Sequence, residues 1–225
     1  MVASATLCVW GARRHAGRGM VLVARGLALL IVAAWAGEYI YDAALGTWSV
    51  MYDLPLQLTD AVSVVSVLAL WTGHRRLVEL CYLWAMTAVL QGVLTPDLGY
   101  SFPSLYYFTY FIYHDGAVIA ACLLVFGERL YLQPGAVRRV YLATLAWACI
   151  AELGNVITGG NYMYLRERPE HASLLSVLGP WPWYVVGTVV VIAPMFLIAA
   201  WALAALVEHR DHSRAPPQTY GYSLN

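Results

Sequence analysis

The chain has no lysine. All 13 of its basic residues are arginine, so imine chemistry on a lysine amine and a lysine-closed phosphate loop are both excluded. Charge of either sign is scarce. Only 12% of the 225 residues are charged, where a soluble domain carries about 25%. Cysteines are few and scattered: Cys8, Cys81, Cys122 and Cys149 form no Cys-x-x-Cys pair, which argues against a disulfide framework or a thiolate zinc site. The apolar stretches hold a single histidine, His114, so a haem with two axial histidines cannot be built within one chain. Period-two alternation is also missing from the apolar runs, which excludes a transmembrane barrel.

What is present instead is apolar length. The chain is 61% hydrophobic, with a mean hydropathy of +0.63. In lipid every backbone polar group must be satisfied internally, so long apolar segments cross as helices. Segments 21–41, 54–71, 77–94, 105–126, 137–157 and 183–207 each approach the length of about 20 residues that a span needs. The expected fold is all-α: a polytopic transmembrane helix bundle of six spanning helices, with a short apolar N-terminal remnant. Residues 1–19 read as a short cytoplasmic or partial-helix N-terminus, either the remnant of an earlier helix or an unstructured leader. Residues 20–207 form the six-helix domain, and residues 208–225 a cytoplasmic, disordered tail.

Arginines are distributed unevenly between alternate loops. One side receives Arg13, Arg14, Arg18, Arg25, Arg75, Arg76, Arg129, Arg138, Arg139, Arg210 and Arg214, and the other only Arg166 and Arg168. The positive-inside rule then makes this a multi-pass cell-membrane protein with both termini cytoplasmic.

Ionisable groups are costly inside a bilayer, so their placement is informative. On the expected second span Asp53, Gln57 and Asp60 fall at i, i+4 and i+7, one face of a helix if the helix begins there. The third contributes Gln91 and then Asp97, the fourth His114 and Asp115, the fifth Glu152 and Asn155. At about 1.5 Å of rise per residue, Thr59, Gln91, His114 and Glu152 lie roughly 8–14 Å below the outer ends of their spans. The inner halves, among them 61–71 and 117–126, carry no charge except Glu79 near the cytoplasmic end of the third span, where Arg75 or Arg76 is its expected partner. Such a polar pocket with an apolar floor fits a site open to the outer face better than a transport path, which needs polar access from both sides.

A neutral imidazole beside a hydroxyl can act as a general base, so Thr59 and His114 make a chemically complete minimal pair. Asp60, Asp115 or Glu152 are candidates to orient the ring. The same set could instead hold helices together by hydrogen bonds alone. A metal held by Asp53, Asp60, Asp115, Glu152 and His114 fits no ligand motif, and no cofactor is implied. Tyr107, Tyr110 and Tyr113 run inward at helical spacing and could line the pocket. In the long loop after the fifth span, Asn161 and Arg166 offer an amide and a guanidinium. Arg166 and Arg168 either hold a lipid phosphate or carboxylate, or pair with Glu167, Glu170 or Asp97. Membrane lipids are the expected partners; nucleic acid is not.

Several stretches together resemble one family. They are Leu54-Pro-Leu-Gln-Leu-Thr-Asp60, Leu90-Gln-Gly-Val-Leu-Thr-Pro-Asp97, Phe102-Pro-Ser104 with the later His114, Gly160-Asn-Tyr-Met-Tyr-Leu-Arg166 and Gly179-Pro-Trp-Pro-Trp183. In this order they resemble the YwaF family of bacterial integral membrane proteins, which is grouped with animal transmembrane protein 164. The resemblance implies an acyltransferase acting on phospholipids, the animal relative's activity, with a cysteine and a histidine in the site. It is also similar in layout to the androgen-induced membrane hydrolases, which act on fatty-acid esters with a threonine and a histidine. The bacterial pattern reads Leu-Pro-Leu-His-Leu-Cys where this chain has Gln57 and Thr59 in place of the histidine and cysteine. That change moves the expectation from a thiol to the Thr59 hydroxyl or to no catalysis at all, the alternative being a non-enzymatic membrane protein that binds a small ligand or partner in its outer polar pocket. His114 matches the family's fourth-helix histidine. Together these imply an outward-facing Thr/His site, with Asp53, Gln57, Asp60, Gln91, Asp97, Tyr110, Asp115, Glu152, Asn155, Asn161 and Arg166 available to bind substrate.

Overall fold

A computed structural model describes residues 2–14, 18–171 and 173–214. Among them the regular structure is entirely helical. Helix α1 is Val2–Arg14, α2 Arg18–Leu45 and α3 Leu58–Thr72. Helix α4 is Arg75–Leu94, α5 Leu105–Gly127, α6 Ala136–Thr158 and α7 Trp183–Ser213. Five of these, α2 and α4 to α7, are long and apolar enough to cross a membrane.

Position in the bundle follows from burial. Half or more of the most apolar window is buried in α4 (50%) and α5 (56%), against 22% in α2 and 17% in α6 and α7. The first two are therefore central, and the others turn large apolar side chains such as Leu22, Leu153, Ile157 and Leu206 outward, as lipid-facing helices do. Small residues let the central helices approach their neighbours. Ala117, Ala120 and Ala121 on α5 are fully buried. Gly116 faces α2 so closely that a Cβ there would lie 2.8 Å from Ile31 Cγ1.

The expected second span is different. Segment 54–71 does not start as a helix at Leu54. Proline disfavours α geometry in the residue before it, and Pro55 follows Leu54. Residues 53–57 form a turn, Gln57 is extended (φ −66°, ψ 151°), and α3 begins at Leu58. Its 15 residues rise only about 22 Å, short of the roughly 30 Å hydrocarbon core. Asp53 and Gln57 consequently do not share a helical face with Asp60. Asp60 instead accepts a hydrogen bond from the Gln57 N–H at 2.9 Å, an acidic group in the first turn where the helix dipole favours it.

The N-terminal piece is helical over Val2–Arg14 and packs against α5 and its last turn. At the other end α7 continues through 208–213, so that part of the expected disordered tail is helix. Residues 215–225 lie outside the described residues. Among the described residues three π-helical turns interrupt the spans, at Ala85–Val89, Leu123–Gly127 and Thr188–Ile192. The first immediately precedes the α4 turn that faces His114, a position where such bulges recur.

Candidate functional site

His114 sits on the buried face of α5 at 5% exposure. Its Nδ1 lies 2.8 Å from the Tyr110 carbonyl oxygen. A carbonyl only accepts, so Nδ1 carries the proton and Nε2 is left with its lone pair. Nε2 faces the Thr59 hydroxyl at 3.4 Å, and with that tautomer the hydroxyl donates. Aromatic rings fix the plane of the imidazole. Tyr110 stacks on it with centroids 3.9 Å apart, and Tyr113 lies 4.9 Å away at 30°. The Tyr110 hydroxyl donates to the Gly92 carbonyl at 2.8 Å. Gly92 closes the third side: a Cβ there would sit 3.2 Å from both Cδ2 and Nε2 of the ring.

Both imidazole nitrogens are thus engaged without a carboxylate. Asp60 is taken up by the Trp35 indole N–H and the Gln57 N–H, each at 2.9 Å. Glu152 pairs with Arg166 at 3.1 Å and accepts from Asn155 at 3.1 Å. Asp115 is half-buried next to His114 in sequence. The expectation that one of the three orients the ring is corrected: a backbone carbonyl one turn earlier does so.

The remaining expected residues fall into separate groups. Asn155, Asn161, Gln57 and Arg166 dock the 159–182 loop onto the start of α3. The Asn155 carboxamide brackets Tyr162, accepting from its N–H at 2.6 Å and donating to its carbonyl at 3.1 Å. Tyr162, 1% exposed, accepts from the Leu54 N–H at 2.9 Å and donates to the Val50 carbonyl at 2.7 Å. Gln57 Oε1 accepts from the Met163 N–H at 2.8 Å, and Asn161 Oδ1 from the Arg166 and Glu167 N–H groups. Arg166 therefore pairs with Glu152, which the loop's own acids had obscured, and Arg168 donates to the Ser176 and Gly179 carbonyls. Gln91 is half-buried, and its carbonyl accepts from Thr95. Tyr107 joins Phe102, Phe108 and Phe111 in an aromatic cluster.

Asp97 anchors the far part of the same loop. It accepts from the His171 ring at 2.7 Å and from the Tyr164 hydroxyl at 2.9 Å. Burial pushes its carboxyl up, but the His171 side chain and backbone and the Tyr164 hydroxyl outweigh that and hold it below the ordinary carboxylate value. A depressed carboxyl stabilises the fold above its unfolded pKa and stops doing so as pH falls through the lowered native one. Protease cleavage within 159–182 should stay slow from neutral pH to about pH 4 and rise in stronger acid. Asp97→Asn should show fast cleavage already at neutral pH.

Sequence reasoning overlooked α2. Trp35, Glu38, Tyr39 and Asp42 recur at helical spacing and face the start of α3. With Asp53, Gln57, Asp60 and Tyr113 they line a cavity of about 110 Å³ beside the Thr59–His114 pair. The signal was available in the two carboxylates one turn apart in an otherwise apolar span.

These motifs lie within the stretch that matches a known family, the TMEM164 family, over residues 1–200. The chain belongs to the TMEM164 family. No curated protein and no solved structure matches it. The family is one of membrane proteins, in agreement with the five apolar helices. Within this TMEM164-family chain, the Thr59–His114 pair lies where α3, α4 and α5 meet, with Gly92 supplied by α4 and Tyr110 by α5.

Proposed function

We propose that this TMEM164-family protein, of the bacterial YwaF type, is a lipid acyltransferase or fatty-ester hydrolase using Thr59 as nucleophile and His114 as general base. The observation that carries the reading is the 3.4 Å contact between Thr59 Oγ1 and His114 Nε2, with the Nδ1 proton held by the Tyr110 carbonyl. Catalytic hydrogen bonds are commonly long before substrate binds. In the reaction Nε2 takes the hydroxyl proton as Oγ1 attacks the ester carbonyl. The imidazolium returns that proton to the departing alcohol, leaving an acyl-threonine. A second hydroxyl compound then attacks the acyl group, its proton passing to Nε2 and on to the Thr59 oxygen as it leaves. Water in that role gives hydrolysis, and a lipid alcohol gives transfer. The arginine asymmetry supports a cell-membrane location with both termini cytoplasmic and the site towards the outer leaflet.

The test is direct. Purified protein supplied with phospholipids and fatty esters should turn them over, and mass spectrometry of the quenched enzyme should find the acyl group on Thr59. Thr59→Val keeps the side-chain shape, and turnover should fall at least about 100-fold. Undiminished turnover in that variant would eliminate the mechanism.

A further inference from the structure

The acidic cavity on α2 takes no part in that mechanism, and its chemistry is incomplete. Glu38, Asp42, Asp53 and Asp60 all line it. Among the described residues every hydrogen bond they accept comes from a neutral donor. Glu38 accepts from Thr109 at 2.8 Å, Asp42 from Thr47 at 3.2 Å and from Tyr106, Asp53 from the Ser49 N–H at 2.7 Å, and Asp60 from Trp35 and Gln57. Among the described residues, ion pairs engage Glu79, Asp97, Glu152 and Asp211, and none of these four. Carboxylates crowded at the edge of a low-dielectric bundle without a basic partner repel one another when ionised, and a cation from outside would relieve that repulsion.

The walls say which kind. Among the described residues no group of acids is arranged to hold a metal ion. Four of the other six lining residues are aromatic, Trp35, Tyr39, Tyr52 and Tyr113, beside Leu54 and Gln57. Carboxylates set among ring faces suit an organic ammonium group, which gains from both.

A second cavity, about 210 Å³, adjoins the first at Trp35, which lines both. It runs between α2 and α3 along Ile31, Val32, Val64, Val67 and Leu68. Val32, Val64 and Leu68 are each more than 40% exposed, so the slot opens on the lipid-facing side. Its one hydroxyl is Ser63, 2% exposed, whose Oγ has no hydrogen-bond partner. Asp60 and Ser63 lie one turn apart, at i and i+3, on the same face of α3. An oxygen two carbons from an ammonium group at Asp60 would therefore reach Ser63.

We propose that the two cavities form one binding site for an alkylammonium amphiphile, with the cation among the four carboxylates and rings, a linker oxygen at Ser63 and an alkyl tail in the slot. The site does not rest on catalysis by Thr59 and His114. Three probes separate the possible sources of the cation, in purified protein held in an uncharged maltoside detergent. They are the octyl ether of (2-hydroxyethyl)trimethylammonium, which has no ester to cleave, its uncharged 3,3-dimethylbutyl isostere, and tetramethylammonium alone.

The charged ether should bind saturably, raise the unfolding temperature and bind about tenfold or more tighter than the isostere. Glu38→Gln and Asp42→Asn, made separately so that one misfolded variant does not decide the matter, should each erase that preference. Val64→Trp, which fills the slot, should weaken the charged ether to the level of tetramethylammonium. Equal binding of the ether and its isostere would overturn the cation site. Equal binding of tetramethylammonium and the ether to the unmodified protein would overturn the tail slot and identify the ligand as a free ammonium ion from water.

Discussion

His114→Gln protein should fold normally and turn over fatty esters or phospholipids about 10²–10⁴-fold more slowly than the unmodified chain, the usual range for losing a general base. Glutamine approximates the imidazole in volume, so the space between Tyr110 and Tyr113 stays filled and the rings that stack there keep a neighbour. It cannot supply the basic nitrogen that receives the Thr59 proton. His114→Ala should lose activity equally, but it also opens a hole in a fully packed region and should unfold at lower temperature. Comparing the two variants separates chemistry from packing. Gly92→Ala provides an intermediate arm. Its added methyl would lie 3.2 Å from Nε2 and 3.3 Å from the Tyr110 hydroxyl, tighter than ordinary contact. The ring must shift by a few tenths of an ångström, and misplacement on that scale lowers turnover without removing any catalytic group. Rates of all three variants, with unfolding temperatures beside them, check the set. Full activity in His114→Gln would remove the base from the mechanism.

The helical class and the pairing of Thr59 with His114 were both legible in the sequence, and for the same reason. Each depends on a local signal: apolar length for the spans, and two chemically complementary groups at similar depth for the pair. What was not legible depends on the chain's path in space. Pro55 shortens α3 and takes Asp53 and Gln57 off its face, which periodicity alone cannot reveal because the spacing i, i+4, i+7 is kept in the sequence. Glu152 is matched to Arg166 only because the loop folds back through Asn155 and Tyr162, 7 residues apart. The single cluster of polar groups inferred from depth therefore resolves into three: the imidazole centre, the acidic cavity shared with α2, and the loop anchors. Depth is one coordinate, and helices at equal depth can face different neighbours.

The end of the bundle opposite Asp97 carries the largest expected effect on stability. Glu79 on α4 is 2% exposed and gathers three donors: Arg139 of α6 at 2.8 Å, Arg76 at 3.1 Å and the Gln133 N–H at 3.3 Å. Sequence proximity pointed to Arg75 or Arg76, and Arg76 does bind. The partner that ties two helices together, however, comes from 60 residues away. The Arg139 guanidinium contacts both Glu79 oxygens, through Nε at 3.0 Å and Nη2 at 2.8 Å. This bidentate form is the strongest available to a carboxylate. Its other terminal nitrogen, Nη1, donates to the Pro134 carbonyl at 2.8 Å, so the same side chain also holds the α5–α6 connection. Replacing Arg139 with alanine leaves a buried carboxylate whose one remaining charged partner among the described residues, Arg76, is 54% exposed and contributes little in water. Losing one member of such a pair costs about 3–5 kcal/mol when both are buried; Arg139 is 32% exposed, so a loss of about 2–3 kcal/mol is expected. Arg139→Lys should recover only part of it, because an ammonium cannot span both oxygens. Arg139→Ala combined with Glu79→Gln should be more stable than Arg139→Ala alone, since the uncompensated charge is then gone. Thermal unfolding of the four proteins in detergent micelles measures each of these differences. If Arg139→Ala alone unfolds at the same temperature as the unmodified chain, the clasp contributes nothing to the fold.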